Sequence, residues 1–387
     1  MSETPGAPIP SQRELFDIPD AVTYLNCASL SPQLRSVTAA GLASVQAKAS
    51  PWTYSARDWF DHAEPLRALF GRIVNADADS VALVPAASYG LAVAAANVPM
   101  RAGQAVLVID REFPSNVYTW RELARRTGGV VRTVRREPGA SWTDAIVAAI
   151  DEQVAVVATP NCHWTDGSVI DLERVGEAVR AVGASLVVDA SQSAGAHPID
   201  VKAVQPDFLV AVGYKWLMGP YSLGYLYAAP RWCDHCTPIE QSWMIREGAE
   251  DFAQLVNYTD RLRGGARRFD MGESSQFVLL PMATAALEQV VVWGVSEIAA
   301  SLEPLTSRLA REARELGCGV PDERVRHMLG VQIPGGVPAS LVDRLAKSRV
   351  YVSVRGDSIR VAPHLYNDAR DIERFVSLLR ETLAAGD

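Results

Sequence analysis

Short apolar runs separated by amphipathic stretches recur through the middle of the chain. The runs are Val81 to Val84, Ala105 to Ile109, Val130 to Val134, Val154 to Ala158, Leu186 to Val188, Phe208 to Val212 and Gly224 to Tyr227. Between most of them lie segments of helical periodicity: Tyr89 to Asn97, Asn116 to Thr127, Thr143 to Ile150 and Leu172 to Val182. Apolar runs without polar alternation belong to strands buried on both faces, and their alternation with helices predicts a mostly parallel sheet. Upstream, Tyr24 to Pro32 lies in an N-terminal arm that leads into polar and helical sequence up to about Ile73. Downstream, a long helix from Met282 to Trp293 opens a region of mixed helices and strands. The expected division is an arm over 1–30, a large α/β domain over 31–279 with a seven-stranded sheet, and a smaller α+β domain over 280–387. No repeat or low-complexity linker separates them.

Composition narrows this only slightly. A chain of 387 residues exceeds one simple core, and 48% hydrophobic with 21% charged residues is ordinary for a globular protein. A net charge of -8 and a pI near 5.4 argue against nucleic acid as a partner. No apolar run reaches bilayer-spanning length, and Met1 to Asp20 is polar and proline-rich without a signal-peptide core, so the expected setting is the cytoplasm, with no membrane partner. Five scattered cysteines, an odd number, do not make a disulfide framework. Cys233 and Cys236 flank His235 in a C-x-x-C without the second ligand pair a structural zinc site needs, so no metal is expected.

The chemistry concentrates between Ala184 and Tyr227. One predicted strand ends in Asp189 and the next ends just before Lys215, which puts an acid and an amine at the carboxyl edge of the sheet, where α/β proteins bind ligands. A desolvated lysine is an imine-forming nucleophile, and a carboxylate can keep a pyridine nitrogen protonated. Taken singly, the two residues fit a helix-capping acid and a surface lysine better; the combination of spacing, flanking strands and further motifs favours the ligand site. Four further motifs sit at strand ends or in later loops: PAASYGLAVAA from Pro85, DREFPSNVYTW from Asp110, TPNCHWTDG from Thr159 and RRFDMGESSQF from Arg267. A fifth, SIRVAPHLYND, starts at Ser358.

With these motifs the chain resembles, over nearly its whole length, the class V aminotransferases. These are the fold-type-I pyridoxal phosphate enzymes that include cysteine desulfurases, kynureninase and isopenicillin N epimerase. The resemblance implies pyridoxal 5'-phosphate held as a Schiff base on Lys215, with Asp189 at the pyridine nitrogen and Gln192 at the 3'-oxygen. It implies Ala87, Ser88 and Tyr214 at the phosphate, with Val212 where desulfurases carry a serine. Phe113 stands where desulfurases stack a histidine, which supplies a π face but no proton. Asn161 is expected beside the 3'-oxygen. Gly272, Glu273 and Ser274 match a loop given across a homodimer interface to the partner's phosphate, with Glu273 acting through its amide. Arg360 is expected on the substrate α-carboxylate, its alternative being a surface ion pair. Asn26 and Trp164 are expected at the substrate, and His163 either lines the pocket or bonds loop backbone. The implied activity is an aminotransferase type acting on a small amino acid or amine; a β-lyase cleaving Cβ–S or C–C bonds and an epimerase are the alternatives. No cysteine lies between Val350 and Arg360, which disfavours persulfide-forming desulfuration.

Overall fold

The computed structural model describes residues 8–137 and 139–385, so residues 1–7 of the expected arm lie outside the described residues. The seven predicted strands form one sheet in the order Val81–Val84, Gly224–Ala228, Phe208–Val212, Ser185–Asp189, Val154–Pro160, Ala105–Ile109, Val130–Val134. Only Gly224–Ala228 runs antiparallel, to both neighbours. Most observed bounds lie within one residue of the pattern. Val154–Pro160 extends two residues further, because its carboxyl end pairs on to Asp189 of the next strand. Every residue of the six strands from Val81–Val84 to Ala105–Ile109 in this order is buried, whereas the edge strand Val130–Val134 is partly exposed and carries Arg132 and Thr133. An edge so marked resists pairing with another chain.

Side chains alternate across the strands. Val81, Leu83, Leu107 and Ile109 enter one apolar cluster, and Ala82, Val84, Val106 and Val108 enter the other, one on each face. The helix Ala87–Asn97 lies close on the sheet, because a Cβ at Gly90 would stand 2.6 Å from Val210 Cγ1. Asp171 caps the helix Leu172–Ala181 by accepting from the Glu173 and Arg174 amides.

A third apolar cluster, including Leu329, Val331, Ile359 and Phe375, organises the C-terminal part around the antiparallel strands Leu329–Gln332, Ser353–Arg355 and Ser358–Val361. The helices Leu279–Trp293 and Val295–Glu315 meet at Gly294 with a 72° bend; no single helix among the described residues is long and apolar enough to cross a membrane. The N-terminal arm crosses to this part of the molecule. Thr23–Tyr24 pairs in parallel with Val350–Tyr351, and Asn26 bridges Ala362. Its continuation then reaches the lysine loop, where the Ser31 amide donates to the Tyr214 carbonyl at 3.0 Å.

One buried ion pair ties the 267–277 segment to the sheet. Arg67 forks onto both oxygens of Asp270 at 2.9 and 2.6 Å, and the Leu83 amide donates to the same carboxylate at 2.9 Å. Removing either partner would strand a buried charge, at a cost of about 3–5 kcal/mol.

Candidate active site

A cavity of about 460 Å³ opens at the carboxyl edge of the sheet, with Lys215, Asp189, Gln192, Phe113, Trp164, Tyr214, Ala87 and Ser88 all on its wall. Parallel pairing explains the meeting of Asp189 and Lys215. Asp189 is in register with Val210, which leaves four residues of strand end and turn, Ala211 to Tyr214, before the lysine. The chain has four lysines, of which Lys48, Lys202 and Lys347 are exposed and Lys215 alone is buried.

Burial pushes the Lys215 amine down to about 8 despite the attraction of Asp189, with Arg360 and Arg355 adding to the fall. An amine so placed is a nucleophile near neutral pH. Its Nζ lies 5.6 Å from the Phe113 ring centroid and 5.8 Å from that of Tyr214. Asp189 is held by the Ser191 amide, which donates to Oδ1 at 2.9 Å. Gln192 donates from Nε2 to the Ala28 carbonyl at 3.0 Å and accepts from Trp216 Nε1 at 3.1 Å, which leaves one N–H of its amide free.

The far end of the cavity is a helix start. Ala86 precedes the helix in an extended conformation with no side-chain cap, so the first-turn amides of Ala87 and Ser88 have no intrahelical acceptor and face a site suited to an anion. Tyr214 lines the same cavity, its ring 4.4 Å from that of Tyr221, and burial raises its phenol, keeping it a neutral donor.

Asn161 is not on this wall. Pro160 and Cys162 line the cavity, whereas Asn161, in the bend just past the strand, lines a separate groove with Thr143 and Ile170. Its Oδ1 is buried there without a partner. His163 is also turned away. Its ring stacks on Trp142 at 5.5 Å, Nε2 meets the Asp110 carbonyl at 3.2 Å and Nδ1 meets Thr165 Oγ1 at 2.7 Å. Of its two readings, the loop-backbone one describes the geometry. Gly272, Glu273 and Ser274 lie apart from the Lys215 cavity of their own chain. The Gly272 amide donates to Glu240 at 2.5 Å, and Glu273 lines a separate groove with Tyr54, Trp59 and Phe277.

Arg360 is fully buried rather than at the surface. Nη1 donates to the Trp164 carbonyl at 2.8 Å and Nη2 to Ser29 Oγ at 2.9 Å, while Nε has no partner. Trp164 is fixed in turn by its Nε1, which donates to the Arg111 carbonyl at 2.7 Å, and its ring meets Phe113 edge-on at 5.5 Å. Asn26 joins the same network through Ser353, whose hydroxyl donates to Asn26 Oδ1 at 2.6 Å.

Two groups on the cavity wall escaped the sequence reading. Glu112 is buried with Oε2 unpartnered and Oε1 accepting from the Phe113 amide at 2.5 Å. Burial and the nearby Asp189 charge push its carboxyl up to about 8. Cys162 turns its thiol to the Gln192 carbonyl at 3.6 Å, and burial raises it far above the usual thiol range. Nothing in the sequence separated Glu112 from the exposed acids of an ordinary loop; its one signal is its place after a buried strand and just ahead of Phe113.

The arrangement suits a flat, phosphorylated, carbonyl-bearing molecule. The helix start meets an anion, Phe113 offers a face, Asp189 offers a carboxylate to a ring nitrogen, and the depressed amine of Lys215 offers a covalent bond.

The family model described as aminotransferase class-V matches residues 40–376. The chain is 27% identical over 362 residues to the uncharacterized aminotransferase YcbU of Bacillus subtilis, covering 90% of this chain and 95% of that one. It is 30% identical over 292 residues to the kynureninase of Deinococcus radiodurans, covering 73% and 68%, and 26% identical over 398 residues to the isopenicillin N epimerase of Amycolatopsis lactamdurans, covering 95% and 97%. In fold it is similar to the apo cysteine desulfurase of Thermococcus onnurineus NA1, at a TM-score of 0.85 and 18% identity over 98% of this chain and 100% of that one. A C-DES variant with glycine covalently linked to its PLP cofactor gives a TM-score of 0.87 at 19% identity, over 96% and 99%.

Proposed function

The chain belongs to the class V aminotransferase family, and from that premise we propose that it is a pyridoxal 5'-phosphate enzyme acting on a small amino acid, with Lys215 as covalent anchor and proton carrier. The observation that carries this reading is the buried, depressed amine of Lys215 beside Asp189, in the one cavity wall that also presents an uncapped helix start. When bound, the cofactor supplies an electron sink for the pair left by loss of the substrate α-proton.

The protein's own groups divide the remaining work. Asp189 holds a proton at the ring nitrogen, and Phe113 packs one ring face without exchanging protons. The amides of Ala87 and Ser88 hold the phosphate, joined by the Tyr214 hydroxyl. Gln192 offers its remaining N–H to the 3'-oxygen. Arg360 binds the substrate carboxylate through its fork, and its unpartnered Nε leaves capacity for that bond. Lys215, once its amine is free, is the base within reach of the α-proton. In this division 31–279 holds the cofactor, 280–387 brings Arg360 to it, and 1–30 is the arm that brings Asn26.

A homodimer and a cytoplasmic setting belong to the same proposal. Trp52, Val256 and Tyr258 are 78%, 76% and 97% exposed, an apolar cost that a second copy would relieve, and Gly272 to Ser274 would then serve the partner's phosphate. Five buried free thiols fit a reducing compartment.

The test is a panel of amino acids offered to the holoenzyme. Keto acid formed in step with loss of the visible cofactor absorbance supports transamination. Pyruvate with ammonia or sulfide would instead favour elimination, and exchange with inversion at Cα would favour epimerisation. Absence of any product and of α-proton exchange with every amino compound tried would overturn the enzyme reading.

A further inference from the structure

Arg360 has a second guanidinium beside it. Strands Ser353–Arg355 and Ser358–Val361 pair antiparallel with Ser353 opposite Arg360, and Arg355 stands two residues beyond Ser353, on the same face of the hairpin. Both arginines converge on one hydroxyl of the arm: Arg360 Nη2 donates to Ser29 Oγ at 2.9 Å and Arg355 Nη2 donates to it at 3.2 Å. Ser353 Oγ lies 3.1 Å from the same oxygen. The guanidinium of Arg355 also lies 5.7 Å from the centroid of the Trp164 ring, whose residue is part of the cavity wall.

Neither arginine makes an ion pair among the described residues. The remaining contact of Arg355 is its own neighbour's carbonyl, Val354, at 2.8 Å, and Arg360 keeps a buried Nε with no partner at all. Both cations are shifted down by burial, and each acts against the Lys215 ammonium. Two like charges crowded at one neutral oxygen are a cost to the fold that an anionic ligand would offset. A single carboxylate is satisfied by one bidentate fork. The second fork then asks for a second anion.

Resting on the proposed function of the same site, we infer that the substrate is an amino acid with two carboxylates, the α-carboxylate on Arg360 and the distal one on Arg355, with Ser29 and Trp164 setting the distance between them. Arg355 is thereby the residue that selects acidic over neutral substrates. It recognises the side chain and takes no part in the proton transfers.

Dicarboxylates without an amine test the arginine pair independently of the reaction. Succinate and butyrate have the same carbon skeleton and differ by one carboxylate. Calorimetric titration of the holoenzyme should show succinate binding at least about 10-fold more tightly than butyrate. The Arg355→Gln variant should bring that ratio close to one, and Arg355→Lys should restore part of it. Equal affinity of the two acids for the native enzyme, which is also what one carboxylate clamped by both arginines would give, overturns the inference whatever the variants do. A ratio unchanged in Arg355→Gln overturns it as well. With amino substrates, aspartate should half-saturate α-proton exchange at a concentration at least about 10-fold below 2-aminobutyrate. If neither exchanged its α-proton, the enzyme reading of Lys215 would fail while the succinate ratio still decided the arginine pair.

Discussion

The site has two halves built in different ways, the second joined to the cavity wall through Trp164, whose carbonyl accepts from Arg360 and whose ring lies under Arg355. The cofactor half, with Asp189, Lys215, Phe113, Ala87 and Ser88, hangs from strand ends and a helix start of one sheet. The substrate half, with Asn26, Ser29, Trp164, Arg355 and Arg360, comes from an arm, a loop and a hairpin, and its hydrogen bonds join residues as much as 331 positions apart. Strand ends fixed by register make a rigid platform suited to a part that every turnover reuses. Loops and hairpins change without disturbing the sheet, so they suit the part that chooses the substrate. The electrostatics divide the same way, with the acids Asp189 and Glu112 on the cavity wall and the cations Arg355 and Arg360, without an ion pair among the described residues, in the hairpin.

Breaking the platform should cost most. Asp189→Ala should lower the rate of α-proton exchange about 10²–10³-fold while cofactor absorbance is retained, measured by deuterium incorporation at saturating substrate. A loss confined to half-saturation would move Asp189 to the substrate half. Arg360→Lys should raise half-saturation for α-amino acids about 10–100-fold, because an ammonium cannot fork onto a carboxylate, and should change that for amines lacking a carboxylate far less. Equal effects on both would dissolve the division at Arg360.

The amine of Lys215 gives a pH test. Its folded value of about 8 lies below the ordinary lysine range, so the free amine is half present at about 8, predominates above it and declines below it. Capture of pyridoxal 5'-phosphate by stripped protein should therefore slow nearly 10-fold for each pH unit below about 8 and level off above it. The sign for stability follows: the unfolded chain binds the extra proton between about 8 and the ordinary lysine value, so Lys215 adds stability as pH rises across that window.

Glu112 runs the other way and is the finest probe. The folded protein holds its proton from the ordinary carboxylate range up to about 8, so stability falls as pH rises through that interval, and the cost is complete above it. Glu112→Gln should raise the thermal midpoint of the stripped protein by a few degrees at pH 9 and leave it unchanged at pH 4.5. A variant less stable at pH 9 would show that the carboxylate has a partner there.

The platform was legible in the sequence because its chemistry sits at the ends of apolar runs, where strand periodicity alone fixes the edge. Asn161 shows the limit of that reading: it stands in the bend just past the strand end, where alternation no longer fixes a side, and it lines a different groove from Pro160 and Cys162. The substrate half was legible at Arg360, Asn26 and Trp164, and there only through the resemblance. Arg355 and Ser29 are ordinary polar residues until the arm folds back beside the hairpin, a contact between the two ends of the chain that no local pattern carries. Glu112 was missed for a related reason, because burial of a loop acid is decided by the packing around it.

The central claim is that Lys215 carries the cofactor, and four lysines make the measurement simple. Borohydride reduction of the holoenzyme, followed by proteolysis and mass mapping, should find the pyridoxyl phosphate mass on the peptide containing Lys215 and on no other. The mass on Lys48, Lys202 or Lys347, or a reduced protein that carries no such mass, would contradict the account.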